Sequence, residues 1–462
     1  MTLIKSISGI RGTIGGKPGE NLTPLDAVQF ASAYGTWLKN QKGNTICKVV
    51  IGRDARPSGP MVQSLVQNTL SAMGINTIDC GLSTTPTIEM AVVHEKAQGG
   101  IILTASHNPV QWNALKFFNH KGEFLSAAEG EEILKLVEQN NFEYCEVESL
   151  GEVRPKNNAI QEHIRAILNL PYVNVEAITR ADFKVAVDAV NSTGGLAIPP
   201  LLEALGVRQT ELLYCEPNGQ FPHNPEPLSK HLGDIREVVK DTGCDIGIVV
   251  DPDVDRLAFV MENGAIFGEE YTLVAAADYL LEHKRGPLVS NLSSSRALRD
   301  LAADKQQKYY ASAVGEVNVV EAMKKHKAMV GGEGNGGVIL PDLHYGRDAL
   351  VGIALVLSHL AVTGKKLSEL RAGYPEYYMA KNKASLSDGS DVDALLQKMA
   401  EKYTGEEITT IDGVKIDFEN EWVHLRKSNT EPIVRVYAEA KSQDKADALA
   451  QQFSRELESG LD

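Results

Sequence analysis

Basic residues are scarce relative to acidic ones: 46 Lys and Arg stand against 61 Asp and Glu, a formal net charge of −15 over 462 residues. That balance excludes a general affinity for nucleic acid or an anionic membrane, whose binding surfaces need a cationic excess. Any anionic ligand must therefore meet a local cluster of positive groups. Cysteine is sparse as well. Cys47, Cys80, Cys145, Cys215 and Cys244 are scattered without a C-x-x-C spacing, which excludes a zinc or dithiol motif and points to reduced thiols. Long hydrophobic runs are missing: the most apolar stretch, 349–362, is too short to span a bilayer and contains Ser358 and His359. Met-Thr-Leu-Ile-Lys, soon followed by Gly9, Arg11 and Gly12, holds no apolar leader core, so the sequence predicts a cytoplasmic protein without membrane association. No polar or repetitive tract suggests disorder, and a chain of this length predicts several domains.

Short apolar runs alternate with segments of helical period through about three quarters of the chain, which predicts α/β units with parallel strands. One plan recurs. A strand at 47–51 runs into Gly-Arg-Asp-Ala-Arg-Pro-Ser-Gly and a helix over 61–73; 185–188 repeats it with Asn-Ser-Thr-Gly, and 288–290 with Asn-Leu-Ser-Ser-Ser-Arg. The repetition suggests three related α/β domains. Beyond about Tyr374 the texture changes to charged helices at 391–403 and 443–457 enclosing strands at 413–418, 422–427 and 433–439, a separate α+β domain. Alternation of Val434, Val436 and Ala438 with Arg435, Tyr437 and Glu439 predicts a sheet with one buried face.

Four loops carry candidate chemistry. Thr104-Ala105-Ser106-His107-Asn108-Pro109 follows a strand at 99–103 and can present the Ser106 hydroxyl to a phosphate, with His107 or Asn108 stabilising charge and Lys116 supplying a proton or a cation. Asp251-Pro252-Asp253-Val254-Asp255-Arg256 follows a strand at 246–250. Carboxylates at alternate positions of extended chain project to one side, so Asp251, Asp253 and Asp255 are expected to converge on one hard cation. Glu262 falls where a twelve-residue calcium loop would end. Arg256 nevertheless occupies that loop's obligatory glycine and a strand precedes, so magnesium fits better. Gly331-Gly332-Glu333-Gly334-Asn335-Gly336-Gly337 contains a formal G-x-G-x-x-G, but Val338-Ile339-Leu340-Pro341 follows where a dinucleotide fold needs a helix. Its glycines are expected to let backbone approach a ligand, with Glu333 and Asn335 facing sugar hydroxyls. Arg426-Lys427-Ser428-Asn429-Thr430-Glu431-Pro432, with Arg435 beyond, offers guanidinium groups and hydroxyls for a phosphate. Each loop taken alone also fits a plain solvated turn.

Together and in this order the four loops resemble those of the α-D-phosphohexomutase family, which includes phosphoglucomutases, phosphomannomutases and phosphoglucosamine mutases. T-A-S-H-N-P and D-P-D-x-D-R are the specific strings, and Ser8-Gly9-Ile10-Arg11-Gly12 matches the family's N-terminal phosphate-side loop. The resemblance covers essentially the whole chain. It implies three related α/β domains with mixed parallel sheets plus a C-terminal α+β domain, divided as 1–153, 154–256, 257–372 and 373–462.

By the same resemblance, Ser106 is the serine phosphorylated in the active enzyme, and Asp251, Asp253 and Asp255 hold one Mg2+ per chain, with Ser106 supplying a phosphate oxygen. Arg11, His107, Lys116 and Arg256 line the transfer site. Glu333 and Asn335 grip the sugar, while Arg426, Ser428, Asn429, Thr430 and Arg435 hold the non-reacting phosphate. A sugar bisphosphate serves as primer and a small phosphosugar is the implied partner; the sequence carries no signal for an oligomeric state. Gly-Glu-Gly-Asn-Gly-Gly, with Asn335 where many bacterial relatives carry serine, is more similar to archaeal-type phosphoglucosamine mutases. Interconversion of glucosamine 6-phosphate and 1-phosphate is the implied reaction, and phosphoglucomutase or phosphomannomutase activity is the alternative. A sugar-phosphate phosphatase and a non-catalytic sensor are more distant readings.

Overall fold

The computed structural model describes residues 2–6, 9–42, 47–386, 391–427 and 433–459. The chain divides into two compact units, residues 1–283 with 335–371 and residues 284–334 with 372–462. The first unit holds two sheets. Strands β1 (Ile4–Ser6), β2 (Gly9–Thr13), β3 (Lys48–Arg53), β4 (Asn76–Leu82), β5 (Gly99–Leu103), β6 (Trp112–Phe118) and β7 (Val153–Pro155) pair in the order β1-β2-β6-β5-β3-β4-β7. Strands β8 (Lys184–Asp188), β9 (Gln209–Leu213), β10 (Ile246–Val250) and β11 (Leu257–Met261) pair as β11-β10-β8-β9. In the second unit β12 (Leu288–Asn291) runs parallel to β13 (Tyr309–Ser312) on one side and β14 (Val330–Glu333) on the other.

These three sheets share a topology. In each, the first strand of the repeated unit leads through a helix to a parallel neighbour on one side, and the chain then returns to a parallel strand on the other: β3 to β4 then β5, β8 to β9 then β10, β12 to β13 then β14. Parallel pairing demands the intervening helices, Gly59–Ala72, Gly194–Ala204 and Ala297–Asp304, because a tight turn cannot bring a strand back in the same direction. The reversal of winding leaves a crevice at the carboxyl ends of the paired strands, where such sheets bind ligands. Ser106 and the three aspartates follow β5 and β10 at that edge, and Glu333 ends β14.

Burial follows from the layering. Both faces of β5, β10 and β11 are covered, so every residue of each is buried, and their composition is continuous apolar rather than alternating. The apolar run read in the sequence forms the helix Ala349–Thr363, buried from Ala349 to Leu360. It packs on the helices Glu269–Leu281, Val175–Ala181 and Ala159–Leu168 as the central post of the first unit. A short strand, β15 (Gly337–Ile339), precedes it. Among the described residues no helix is long and apolar enough to cross a membrane.

The second unit ends in an antiparallel sheet of β16 (Tyr378–Ser385), β17 (Glu407–Thr409), β18 (Val414–Asp417), β19 (Trp422–Lys427) and β20 (Ile433–Ala440), ordered β16-β20-β19-β18-β17. Val434, Val436 and Ala438 face its core as the alternation predicts, and Arg435 is exposed. Glu439 departs from the alternation: it is 1% exposed. It accepts from Trp422 Nε1 at 2.8 Å and from the Arg296 backbone at 3.0 Å. The Arg296 guanidinium meets Asp417 at 3.0 Å and the carbonyls of Phe418, Glu419 and Glu421 at 3.1–3.2 Å, fastening the turn after β12 to this sheet. Removing one partner of a buried ionic network leaves the others uncompensated. Arg296→Met should destabilise the second unit by about 3 kcal/mol, lowering its thermal midpoint by about 6 °C or more. Arg299→Met, whose cation also reaches Asp417 but is 37% exposed, should shift it little; calorimetry of both variants checks the contrast.

Candidate active site

The Ser106 loop is built around a buried cation. Arg56 is fully buried and ion-paired to Asp54 at 2.9 Å. Its two terminal nitrogens donate to four carbonyls of the Ser106 loop and the start of β6: Ser106 at 2.5 Å, Asn108 at 2.7 Å, Pro109 at 2.6 Å and Trp112 at 2.9 Å. Thr104 donates its hydroxyl to Asp54 at 2.7 Å and accepts from the Ser106 backbone at 2.9 Å. Ser106 itself sits at φ 48°, a left-handed conformation that a non-glycine residue adopts only when its surroundings impose it. Its Oγ donates to Asp251 Oδ2 at 2.7 Å and lies 3.4 Å from His107 Nδ1.

The aspartates converge, but not through the extended chain expected. Residues 251–256 form a tight turn with Val254 at φ 63°, and that reversal gathers Asp251, Asp253 and Asp255, each with a carboxylate oxygen within 4.8 Å of the others. All three are fully buried. Protein anchors one oxygen of Asp253, one of Asp255 and both of Asp251. Asp253 Oδ2 accepts from Thr85 Oγ1 at 2.6 Å and from Lys116 Nζ at 3.1 Å. Asp255 Oδ2 accepts from Arg347 at 2.6 Å. Asp251 Oδ1 accepts from the backbones of Asp255 and Arg256, both at 3.2 Å. Asp253 Oδ1 and Asp255 Oδ1 are buried and have no hydrogen-bond partner among the described residues. Buried acceptors of that kind in an all-carboxylate set are the donors a hard divalent cation requires.

Burial and the two neighbouring carboxylates hold Asp251 well above the usual carboxylate range. Burial would raise Asp253 too, but Lys116 and the Thr85 hydroxyl more than offset it and keep Asp253 low. Lys116 loses solvation yet is raised by Asp253 and Asp255, so it stays protonated. Burial and Arg256 push His107 down to about 2, making it a neutral donor or acceptor. Arg256 reaches Glu226 Oε1 at 3.2 Å and keeps its Nε 3.9 Å from Asp255.

Arg11 lies on β2 opposite Ala114 of β6, and Gly9 is paired to Lys116, so the register turns Arg11 and Lys116 to one face. Glu333 is buried in the second unit, accepting from Asn291 at 2.7 Å and from the Gly315 backbone at 3.1 Å. Asn335 begins the following segment of the first unit, its Oδ1 accepting from Gly337 at 3.3 Å. Two glycines there serve packing rather than ligand approach: a Cβ on Gly336 would lie 2.2 Å from the Leu257 carbonyl, and one on Gly337 2.3 Å from Arg347. Arg426 and Arg435 are direct cross-strand partners on β19 and β20, and Arg426 pairs with Asp412 at 2.9 Å. Ser428, Asn429 and Thr430 lie outside the described residues, as does Ser8.

Arg56, Thr85, Arg347 and Glu226 carry the site without having been picked out as functional. Arg56 sits in the first repeated turn, and Arg347-Asp348 precedes an apolar helical run, a start signal that could have drawn attention to it.

Models of the phosphoglucomutase/phosphomannomutase family match in four segments: alpha/beta/alpha domain I at residues 3–144, domain II at 161–264, domain III at 268–378 and the C-terminal domain at 381–456. A phosphoglucomutase/phosphomannomutase of Thermococcus kodakarensis is 38% identical, covering 94% of this chain and 95% of its own. A phosphoglucosamine/phosphogalactosamine mutase of Sulfurisphaera tokodaii is 31% identical, covering 97% and 98%. Among solved structures, a phosphoglucomutase/phosphomannomutase family protein of Burkholderia thailandensis superposes with a TM-score of 0.84 at 26% identity over 99% of this chain and 97% of its own.

The geometry makes Arg56 a test of the loop. Lysine keeps the charge beside Asp54 but cannot reach four carbonyls from one planar fork. Arg56→Lys should lower turnover about a hundredfold through misplacement of Ser106, with the folded state retained by circular dichroism.

Proposed function

We propose a specific reaction for this chain, which belongs to the phosphoglucomutase/phosphomannomutase family: the interconversion of glucosamine 6-phosphate and glucosamine 1-phosphate through phospho-Ser106. The observation that carries the phosphoryl chemistry is the Ser106 Oγ held 2.7 Å from Asp251 at the rim of a buried triad with two unpartnered carboxylate oxygens. Asp251, Asp253 and Asp255, with an oxygen of the phosphorylated Ser106, are the residues that would hold Mg2+. The cation supplies Lewis acidity to a phosphoryl oxygen and neutralises charge on it.

In the first half-reaction the bond from phosphorus to Ser106 breaks and one to a substrate hydroxyl forms, giving a bisphosphorylated sugar that also serves as primer. Lys116, held protonated beside Asp253, gives the released serine oxygen its proton and recovers one from the attacking hydroxyl. Arg256, Arg11 and neutral His107 accommodate the charge on the phosphoryl oxygens. The intermediate then turns over and returns its other phosphate to Ser106. We assign Glu333 and Asn335 to the sugar. Arg426 and Arg435, with Ser428, Asn429 and Thr430, hold the phosphate that is not reacting; two guanidinium groups paired across a sheet favour a dianion between them.

Glucosamine rests on Asn335 in Gly-Glu-Gly-Asn-Gly-Gly and on relatives such as a probable phosphoglucosamine mutase of Methanopyrus kandleri, 32% identical over 96% of both chains. A phosphoglucomutase/phosphomannomutase preference is the second reading, favoured by the 38% identical Thermococcus relative. Turnover of glucosamine, glucose and mannose phosphates under one set of conditions decides between them.

Ser106→Ala should abolish nearly all mutase turnover and remove the phosphate seen by intact-mass measurement; full activity would overturn the mechanism. Asp253→Asn should weaken divalent-cation binding, read by titration calorimetry, because ligand charge sets affinity at such a site. An unchanged affinity would place the cation elsewhere.

A further inference from the structure

Behind the aspartate turn lies a buried ionic network to which the reaction above gives no role. His163 is 1% exposed and Asp348 fully buried, with His163 Nε2 2.9 Å and His344 Nε2 3.2 Å from the same oxygen, Asp348 Oδ2. His344 Nδ1 lies 3.1 Å from Glu89 Oε2. Gly346 has no side chain where that carboxylate sits, since a Cβ there would fall 1.6 Å from Oε2. Burial opposes the charge on His344, but Asp348 and Glu89 raise it to about 10, so it is an imidazolium between two carboxylates.

The three donors lie close enough together for a second metal, but the direction of the hydrogen bonds argues otherwise. Thr84 Oγ1 accepts from the Thr87 backbone at 3.2 Å and donates to Thr87 Oγ1 at 2.7 Å. That leaves the Thr87 proton for His163 Nδ1, 3.0 Å away. His163 then carries its own proton on Nε2, facing Asp348, where a metal ligand needs a lone pair.

What the network joins is specific. Glu89 and Thr87 belong to the helix Thr85–His94, and Asp348 caps the helix Ala349–Thr363, its Oδ1 accepting from Leu350 at 2.8 Å and Val351 at 3.3 Å. Both helices start against the aspartate turn. The Thr85 backbone donates to the Asp253 carbonyl at 2.9 Å, and the Ala349 backbone to the Val254 carbonyl at 3.2 Å. Thr85 Oγ1 and Arg347 add the side-chain bonds to Asp253 and Asp255.

Resting on the cation site proposed above, we propose that Glu89, His344, Asp348 and His163 are positioning residues that clamp two helix starts on the aspartate turn and thereby set its affinity for the divalent cation. Partners beyond the ligands of a metal site typically govern its affinity by tenfold or more. Mn2+ binding to the full-length protein, followed by calorimetry and by paramagnetic resonance of the free ion, tests this. Glu89→Gln, which preserves shape, and His344→Gln should each weaken Mn2+ binding about tenfold. Turnover at saturating Mg2+ and the KM for phosphosugar should stay within about twofold of wild type.

Val93→Gly, exposed on the same helix, should lower thermal stability and leave Mn2+ affinity unchanged. Wild-type affinity in both network variants, or equal weakening in Val93→Gly, would overturn the inference. So would a stoichiometric transition metal that is lost in His344→Gln. A wild-type protein that binds no divalent cation would instead remove the aspartate site itself, a distinct result.

Discussion

Three carboxylates buried in one turn set the terms for everything around them. Two unit charges a few ångströms apart repel by several kcal/mol at the effective dielectric of a protein interior. Asp251, Asp253 and Asp255 therefore persist only because cations and donors surround them. Lys116 comes from β6 and Arg347 from the segment before the helix Ala349–Thr363. Thr85 adds a hydroxyl from a helix start, and the turn closes two of its own N–H groups on Asp251. These groups come from distant parts of the sequence, so the first unit must assemble as one body before the triad is tolerable.

The repeated topology explains how such distant groups arrive together. In each sheet the turn after the first strand braces the functional loop after the strand beside it. Arg56 binds the Ser106 loop. Ser192 and Thr193 donate to the Pro252 carbonyl at 2.7 and 2.8 Å. Asn291 and Ser294 reach Glu333 and the Gly334 backbone at 2.7 and 2.9 Å. The same solution recurs because the geometry recurs: at a switch point the two loops diverge in opposite directions, and a polar group at the root of one is the nearest anchor for the other.

This also separates what the residues disclose from what they conceal. The strands at 99–103 and 246–250, the repeated strand and turn plan and the antiparallel C-terminal sheet follow from local pattern, since each motif carries its own punctuation, whereas the meeting of Ser106 with the aspartates is implied by the family resemblance alone. The way the aspartates converge follows from neither. Alternate spacing suggested extended chain, whereas a left-handed Val254 bends it, because anchoring from both helix starts outweighs the backbone preference of a β-branched residue. Arg56 is concealed for another reason: its partners are carbonyls, which every residue possesses. Glu439 breaks the alternation of β20 because Arg296 and Trp422, far away or on another strand, pay for its burial.

The unspent valences then indicate what the site is arranged to receive. Most of its charged atoms are already committed to the protein: Arg56 to carbonyls, Arg347 to Asp255, Glu226 to Arg256. Asp253 Oδ1, Asp255 Oδ1 and Arg256 Nε are buried without a hydrogen-bond partner among the described residues. Two acceptors and one donor left over beside a serine hydroxyl form a complementary set: the acceptors suit a cation such as the one proposed above, and the donor suits an anion. A plain hydrogen-bonded turn would have closed these atoms on one another. Leaving them open costs stability, and the surrounding anchors, including the doubly paired imidazolium of His344, are what allow the fold to carry that cost.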